Sequence, residues 1–171
     1  MKFFPVTLEI VAAAEIAGIV LGVGVALARI HRVPVLRQFL ACYVSFIRGT
    51  PMLVQMLLVY YGLPMLSKAL TGYDMADFSK LFFVITAYAL NQGVFLSEIF
   101  RSSILAIPAG QTEAAYSVGL TKWRTFTRII MPQAARIAIP SFGVDLIGLF
   151  QGTSIAFLVG IIDIMGRAKA I

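Results

Sequence analysis

Residues 6–28 read VTLEIVAAAEIAGIVLGVGVALA, an apolar run that is interrupted only by Glu9 and Glu15. A helix of this length crosses a hydrocarbon core of about 30 Å. Further apolar regions predict spans at about 39–66, 81–106 and 137–162. Helices are the expected spanning form, because a barrel would need segments of about ten residues with alternating polarity. The sequence therefore predicts an all-α membrane protein with about four spans.

The composition excludes a soluble globular protein. Of the 171 residues, 60% are hydrophobic and only 13% are charged, about half the charge of a soluble domain. The length leaves no room for a separate soluble domain beside four spans. Any energy source must therefore be a partner protein. The formal net charge of +6 is typical of cytoplasmic loops in a membrane protein, and we expect no nucleic acid partner.

Basic residues cluster at two connections, which predicts the orientation of the chain. One cluster lies between the first two spans and the other lies around the connection between the third and fourth spans. The positive-inside rule makes both sides cytoplasmic, so the N-terminus is expected to face outward. Arg167 and Lys169 count against this orientation, since a fourth span would deliver them outside. The clustered residues are Arg29, Arg32, Arg37, Arg48, Arg101, Lys122, Arg124, Arg128 and Arg136.

Small residues recur every four positions in the first span, on one helical face that permits close approach by a neighbour. They are Ala14, Gly18, Gly22 and Ala26.

The connection over residues 107–136 is predicted to form two short amphipathic helices with Gly119 between them, closed by Pro108 and Pro132. Apolar side chains recur through it at helical spacing. The residues alone leave two interpretations open: docking to another protein, or an interfacial helix with basic side chains against lipid headgroups. The apolar residues are Tyr116, Leu120, Trp123 and Phe126, and the basic ones are Lys122, Arg124 and Arg128.

The segment from Glu113-Ala114-Ala115 through Gly119 to Met131-Pro132 resembles the EAA signature of ABC-importer transmembrane subunits. The resemblance implies one type I ABC-importer transmembrane domain over residues 1–171, with a coupling helix within about 107–132. It implies that a separate P-loop ATPase docks there and binds ATP and Mg, while this chain binds no cofactor. The residues expected to couple are Glu113, Ala114, Ala115, Gly119, Leu120, Trp123 and Pro132.

Other stretches are similar to the polar amino-acid branch of these permeases: FIRGTPMLVQ at 46–55, YYGLP at 60–64, SEIFR at 97–101, AIPAGQ at 106–111 and GTSI at 152–155. VSF at 44–46 and GTSIAF at 152–157 most resemble importers of cystine and related sulfur amino acids. The resemblance implies the bacterial inner membrane, an extracytoplasmic binding protein, and a second copy or a similar permease. The family carries a fifth span after the region of Asp163, which this chain is expected to lack as a fragment or a shortened subunit.

Ionisable and amide groups within the predicted spans are candidates for the substrate pathway, because each needs a partner or a wet cavity in the membrane. Asp145 is the best single ligand candidate, although a bond to a neighbouring subunit would also explain it. Glu98 has an alternative as an ion pair with Arg101. The pathway candidates are Asp145, Asn91, Gln151, Ser154, Glu98 and Glu15.

A helix break is predicted within the second span, because Pro51 removes an amide donor and disfavours helical geometry at Thr50. The segment Arg48-Gly49-Thr50-Pro51 is a candidate gate, or a static bend with Arg48 reaching lipid phosphates.

The expected function is import of a polar amino acid, either a cystine-like sulfur compound or a basic one, without chemistry by this chain. Two alternatives stay open. One is a shortened regulatory or assembly protein that does not transport. The other is a membrane-embedded enzyme with Asp145 and Glu98 as acid and base.

Overall fold

The computed structural model describes residues 4–30, 36–75 and 77–161, and over these ranges its regular elements are all helical. Arg32, Asp163, Arg167 and Lys169, used above in the argument on orientation and the fifth span, lie outside them. The α-helices are α1 (Phe4–Ile30), α2 (Leu36–Gly49), α3 (Met52–Leu57), α4 (Leu63–Thr71), α5 (Lys80–Leu105), α6 (Ala109–Ser117), α7 (Lys122–Thr125) and α8 (Met131–Gly152).

Four helical stretches of the described chain are long and apolar enough to cross a membrane, which confirms the expected number. They are Phe4–Ile30, Met52–Thr71, Lys80–Leu105 and Lys122–Val159. The predicted second span at 39–66 is wrong in its bounds, because the chain breaks after Gly49 and restarts at Met52. Pro51 is extended, with ψ of 143°, as its missing amide donor requires. The separate α2 is a short amphipathic helix.

Two prolines are accommodated within continuous helices, because a π-helical turn precedes each of them. The turn Leu58–Gly62 precedes Pro64, and the turn Phe126–Ile130 precedes Pro132. A wider turn accommodates a proline ring that would clash with the carbonyl four residues earlier. The expectation that Pro132 closes the connection is therefore wrong. Pro108, by contrast, caps α6 with ψ of 136°, as expected.

The last helical stretch is much longer than the predicted span at 137–162. It runs without interruption from Lys122 to Val159, 38 residues. At about 1.5 Å per residue it measures about 57 Å, nearly twice the hydrocarbon thickness. Its N-terminal part consequently extends beyond the hydrocarbon core and carries the basic connection away from the bilayer centre.

α5 is the central helix, since α1 packs along it and α8 contacts it as well. The close α1–α5 contact depends on glycine. A Cβ on Gly22 would lie 2.9 Å from the Leu96 Cβ, and one on Gly93 would lie 2.9 Å from the Leu21 Cβ. The predicted small-residue face of α1 is buried here, which confirms it as a packing surface: Ala14, Gly18, Gly22 and Ala26.

Candidate coupling element and polar pathway

The connection after α5 folds into the two helices that the sequence predicts. Gly119 lies between α6 and α7 with φ of 78°, a left-handed conformation that costs about 1–2 kcal/mol for other residues. The Gly119 amide donates to the Tyr116 carbonyl at 2.9 Å, and the Leu120 amide donates to the Ala115 carbonyl at 3.1 Å. These bonds close the end of α6 and set the angle at which α7 begins.

The expected coupling residues divide between an exposed surface and a buried support. Ala115 is 3% exposed and Leu120 is half-buried, so both pack inward. Trp123 is 73% exposed, a large apolar surface to leave uncovered beside water. The other expected coupling residues are exposed as well: Glu113, Ala114, Gly119 and Pro132.

A buried amide joins the two best carboxylate candidates. The Gln92 side chain, 4% exposed, donates to Glu15 Oε2 at 3.0 Å and to Asp145 Oδ2 at 2.7 Å. Glu15 is 7% exposed, and its Oε1 has no hydrogen-bond partner among the described residues. Sequence reasoning missed Gln92. An amide beside Asn91 in an otherwise apolar stretch was the available signal.

A second amide holds the break between α2 and α3. Gln55 Nε2 donates to the Ile47 carbonyl at 2.7 Å and to the Thr50 carbonyl at 2.9 Å. Gln55 Oε1 accepts a bond from Asn91 Nδ2 at 2.9 Å. The candidate gate segment is thus tied to α5, with Arg48, Gly49 and Pro51 exposed around it. Gln55 was also missed, although it follows the break by only four positions.

Glu98 forms the predicted ion pair with Arg101, at 2.8 Å from Oε2 to Nη2, and a second one with Arg29 at the end of α1. The C-terminal ends of α1 and α5 therefore lie on the same side of the membrane. Asp145 does not join this cluster, because its partner Gln92 is six positions earlier on α5, about 9 Å along the axis. The acid and base expected of an enzyme therefore have separate partners.

α8 changes geometry after Gly152, but the helical stretch does not break. The chain continues as a 3-10 helix over Thr153–Val159, and the Gly152 carbonyl accepts a bond from the Tyr88 hydroxyl. Ser154 Oγ donates to the Gln151 carbonyl at 3.1 Å, within the same turn. Gln151 itself is exposed. The structure thus brings Glu15 and Asp145 together, joins Asn91 to Gln55, and leaves the other candidates apart.

Comparison with known proteins identifies the family. The family described as "Binding-protein-dependent transport system inner membrane component" matches residues 18–169. The L-cystine transport system permease protein TcyL of Bacillus subtilis is 39% identical over 169 residues, covering 99% of this chain and 70% of that protein. The probable amino-acid permease protein YxeN of the same organism is 41% identical over 169 residues, covering 99% of this chain and 73% of that protein.

Solved structures agree with this assignment. A crystal structure of an amino acid ABC transporter with histidines superposes with a TM-score of 0.85 at 29% identity, covering 99% of this chain and 75% of that one. The inward-facing MetNI methionine ABC transporter shares the fold, with a TM-score of 0.76 at 17% identity over 99% of this chain and 78% of that one. These relatives are transport subunits rather than enzymes. The chain belongs to the binding-protein-dependent transport system inner membrane component family, as a membrane-spanning permease subunit of an amino-acid ABC importer.

Proposed function

We propose that this permease subunit couples to a separate P-loop ATPase through α6 and α7 and imports a cystine-like sulfur amino acid or a basic amino acid. The observation that carries the coupling proposal is the exposed turn at Gly119, flanked by exposed Glu113 and Trp123. An exposed tryptophan beside a hydrogen-bonded turn, on a polar side of a membrane protein, fits a protein cleft. ATP and Mg are bound by the partner, while this chain contributes the docking surface.

The proposed orientation places the coupling element in the cytoplasm of a bacterial cell, with the chain in the inner membrane and its N-terminus outside. Arg29 and Arg101 meet at Glu98, so the basic ends of α1 and α5 face one side. Lys122, Arg124 and Arg128 follow α6. Cations on one side favour the cytoplasmic face by the positive-inside rule.

The uninterrupted helix from Lys122 to Val159 supplies a mechanism for coupling. Trp123 at its exposed end and Asp145 within the membrane belong to the same helical stretch. Movement of an ATPase cleft around Trp123 then also displaces Asp145, because both residues lie on one continuous helical stretch. Closure of the ATPase pair would tilt this helical stretch, and the pathway would open in turn to one side of the membrane and then to the other.

The substrate proposal rests on relatives and on the polar network. Two similar Bacillus subtilis proteins, TcyL and TcyB, carry the name L-cystine transport system permease protein. Cystine has two ammonium groups, and both cystine and basic amino acids suit the two carboxylates of Glu15 and Asp145. Asp145 is the half-buried, reachable member. We include Asn91, Gln151, Ser154 and Glu98 in the pathway, with Arg48-Gly49-Thr50-Pro51 as its gate.

The remaining proposed partners follow from the family, whose description names a binding protein. An extracytoplasmic amino-acid-binding protein would deliver substrate to the outer side. A second copy of this chain, or a similar permease, would complete the pathway.

The test compares Gly119→Arg with Gly72→Arg in cells that express the chain with its ATPase. Both glycines have left-handed φ, 78° and 73°, and a Cβ at either would meet nothing within 4 Å. The backbone cost is therefore matched, and only the position differs. We expect Gly119→Arg to abolish co-purification of the ATPase and uptake of labelled cystine or arginine, while Gly72→Arg preserves both. Equal behaviour of the two variants would contradict the coupling proposal. Uptake of neither amino acid by the unsubstituted importer would contradict the substrate proposal alone.

A further inference from the structure

Two adjacent cavities lie between the spans and the helices α6 and α7. The first, a groove of about 190 Å³, is lined only by α1, α5 and the last helical stretch, with Ala26, Ile104 and Ala135 among its walls. The second, of about 590 Å³, lies between the ends of α1 and α5 and the helices α6 and α7. Leu27, Ile104 and Phe126 line both, so the two cavities are adjacent.

The lining changes from apolar in the groove to more polar in the outer cavity. The walls of the groove are apolar except for Ser103. The outer cavity adds Thr112, Tyr116, Lys122 and Thr125. α1 ends at Ile30 and α5 at Leu105, so the change occurs where these spans leave the hydrocarbon. An apolar interior with a polar mouth at this level matches a molecule that is itself amphipathic.

Thr125 shows that the mouth is built for a polar group. It is 1% exposed, it lines the outer cavity, and its Oγ1 has no hydrogen-bond partner among the described residues. A buried hydroxyl without a partner is unfavourable unless a ligand or water satisfies it. Lys122 lies three positions earlier on the same helix and also lines the outer cavity, so the two residues share one helical face at its mouth. A cation beside a hydroxyl donor is a binding arrangement for phosphate.

We propose that an anionic phospholipid occupies these two cavities, with an acyl chain in the groove and its phosphate at Lys122 and Thr125. The positive charge at the mouth complements the negative headgroup, and basic residues near the cytoplasmic leaflet attract anionic lipid. The lipid would sit between the coupling helices and the spans, and would join them across the otherwise open cavity.

The first experiment measures phospholipid bound to the purified chain in nanodiscs that contain zwitterionic lipid with a minor share of labelled phosphatidylglycerol. We expect enrichment of the anionic lipid in the unsubstituted chain. Lys122→Gln should lower that enrichment about fivefold, the factor expected for one basic residue at an anionic surface. Arg136→Gln is the matched control, because Arg136 is an exposed cation on the same helical stretch and lines neither cavity. An equal loss of bound phosphatidylglycerol in both variants would show that general surface charge causes the enrichment, and would overturn the proposed binding site.

Thr125→Val tests the mouth independently, because valine keeps the shape and removes the hydroxyl. We expect lower retention of phosphatidylglycerol. Unchanged retention with higher thermal stability would show that the hydroxyl is only an unsatisfied buried group, and would overturn its role. Ala135→Phe fills the groove at an exposed position and should also lower retention, whereas Ala69→Phe on exposed α4 should not.

Photo-crosslinking identifies the occupant directly in the assembled importer. A benzoylphenylalanine in place of Met131, a large side chain that lines the groove and is 54% exposed, should yield an adduct with the mass of a phospholipid. An adduct with a second polypeptide would show that a partner covers the groove and would overturn the lipid proposal. The absence of any lipid adduct would overturn it too. Lys122 and Thr125 lie on α7, so co-purification of the ATPase is measured for the same variants. Loss of lipid with the ATPase retained would separate lipid binding from coupling, and Ala135→Phe lies outside both proposed docking helices.

Discussion

At the scale of single residues, two buried glutamines organise the polar interior. Gln92 donates to carboxylates on two other helices, and Gln55 closes the gap around Thr50 while accepting from Asn91. Each amide carries two donors and an acceptor, so one side chain can satisfy several partners where water is excluded. These bonds join elements that apolar packing alone would leave free to slide.

Replacing Gln92 by leucine tests how much these hydrogen bonds contribute to the stability of the fold. The variant leaves Glu15 and Asp145 without their common donor, and a lost partner at buried groups costs roughly 1–3 kcal/mol. We expect the free energy of unfolding in mixed micelles to fall by about that amount. Gln133→Leu is the control, because among the described residues the Gln133 amide is seen to donate only to the Ile129 carbonyl of its own helical stretch. Equal destabilisation by both substitutions would contradict a bridging role for Gln92.

At the scale of elements, α1 and α5 form the tightest pair because three glycines allow their backbones to meet. In lipid, apolar side chains gain little by leaving the solvent, so close packing and polar contacts decide which helices associate. The Arg29–Glu98 contact at one end and the Gln92–Glu15 bond further along the pair add polar attachments. The pair is therefore specified by small residues and by buried polar groups rather than by hydrophobicity.

Gly18→Ala and Gly24→Ala give a matched pair for this interface. A Cβ on Gly18 would lie 2.6 Å from the Gln92 Cβ, whereas one on Gly24 would meet nothing within 4 Å. Overpacking of this kind costs about 1–3 kcal/mol, while alanine in an open helical position is favoured by up to about 1 kcal/mol. Unfolding by increasing denaturing detergent should therefore shift to lower concentration only for Gly18→Ala. A similar shift for both variants would show that the close approach is not limiting.

At the scale of the whole molecule, the arrangement of helices predicts which loops share a side of the membrane. Tyr73 follows α4 and Val118 follows α6, and they are 56% and 78% exposed. The span α5 separates them. The proposed orientation puts Tyr73 outside and Val118 in the cytoplasm.

Cysteine labelling checks this orientation in a Cys42→Ser background, since Cys42 is exposed. A membrane-impermeant maleimide should label the Tyr73→Cys variant in intact spheroplasts. It should label the Val118→Cys variant only in inverted vesicles. The reverse pattern would mean that the N-terminus faces the cytoplasm and would exclude an ATPase at α6 and α7.

Several local features were predictable because their causes are local. The helix break follows from Pro51, the turn between α6 and α7 follows from Gly119, and the Glu98–Arg101 pair follows from helical spacing. The bounds of the second and fourth spans were not predictable in the same way. Pro132 is absorbed by a π-helical turn inside a continuous helix, and hydropathy gives no signal for that geometry.

The sequence by itself determined the class of protein, the number of spans and the place of the turn at Gly119, because hydropathy, helical period and the backbone limits of proline and glycine act over a few residues. Only the tertiary structure decided which polar groups meet. Glu15 and Gln92 are 77 positions apart, and Arg29 and Glu98 are 69 apart. Whether such residues touch depends on how the helices rotate and slide against each other, and that is set by the packing of all their faces together.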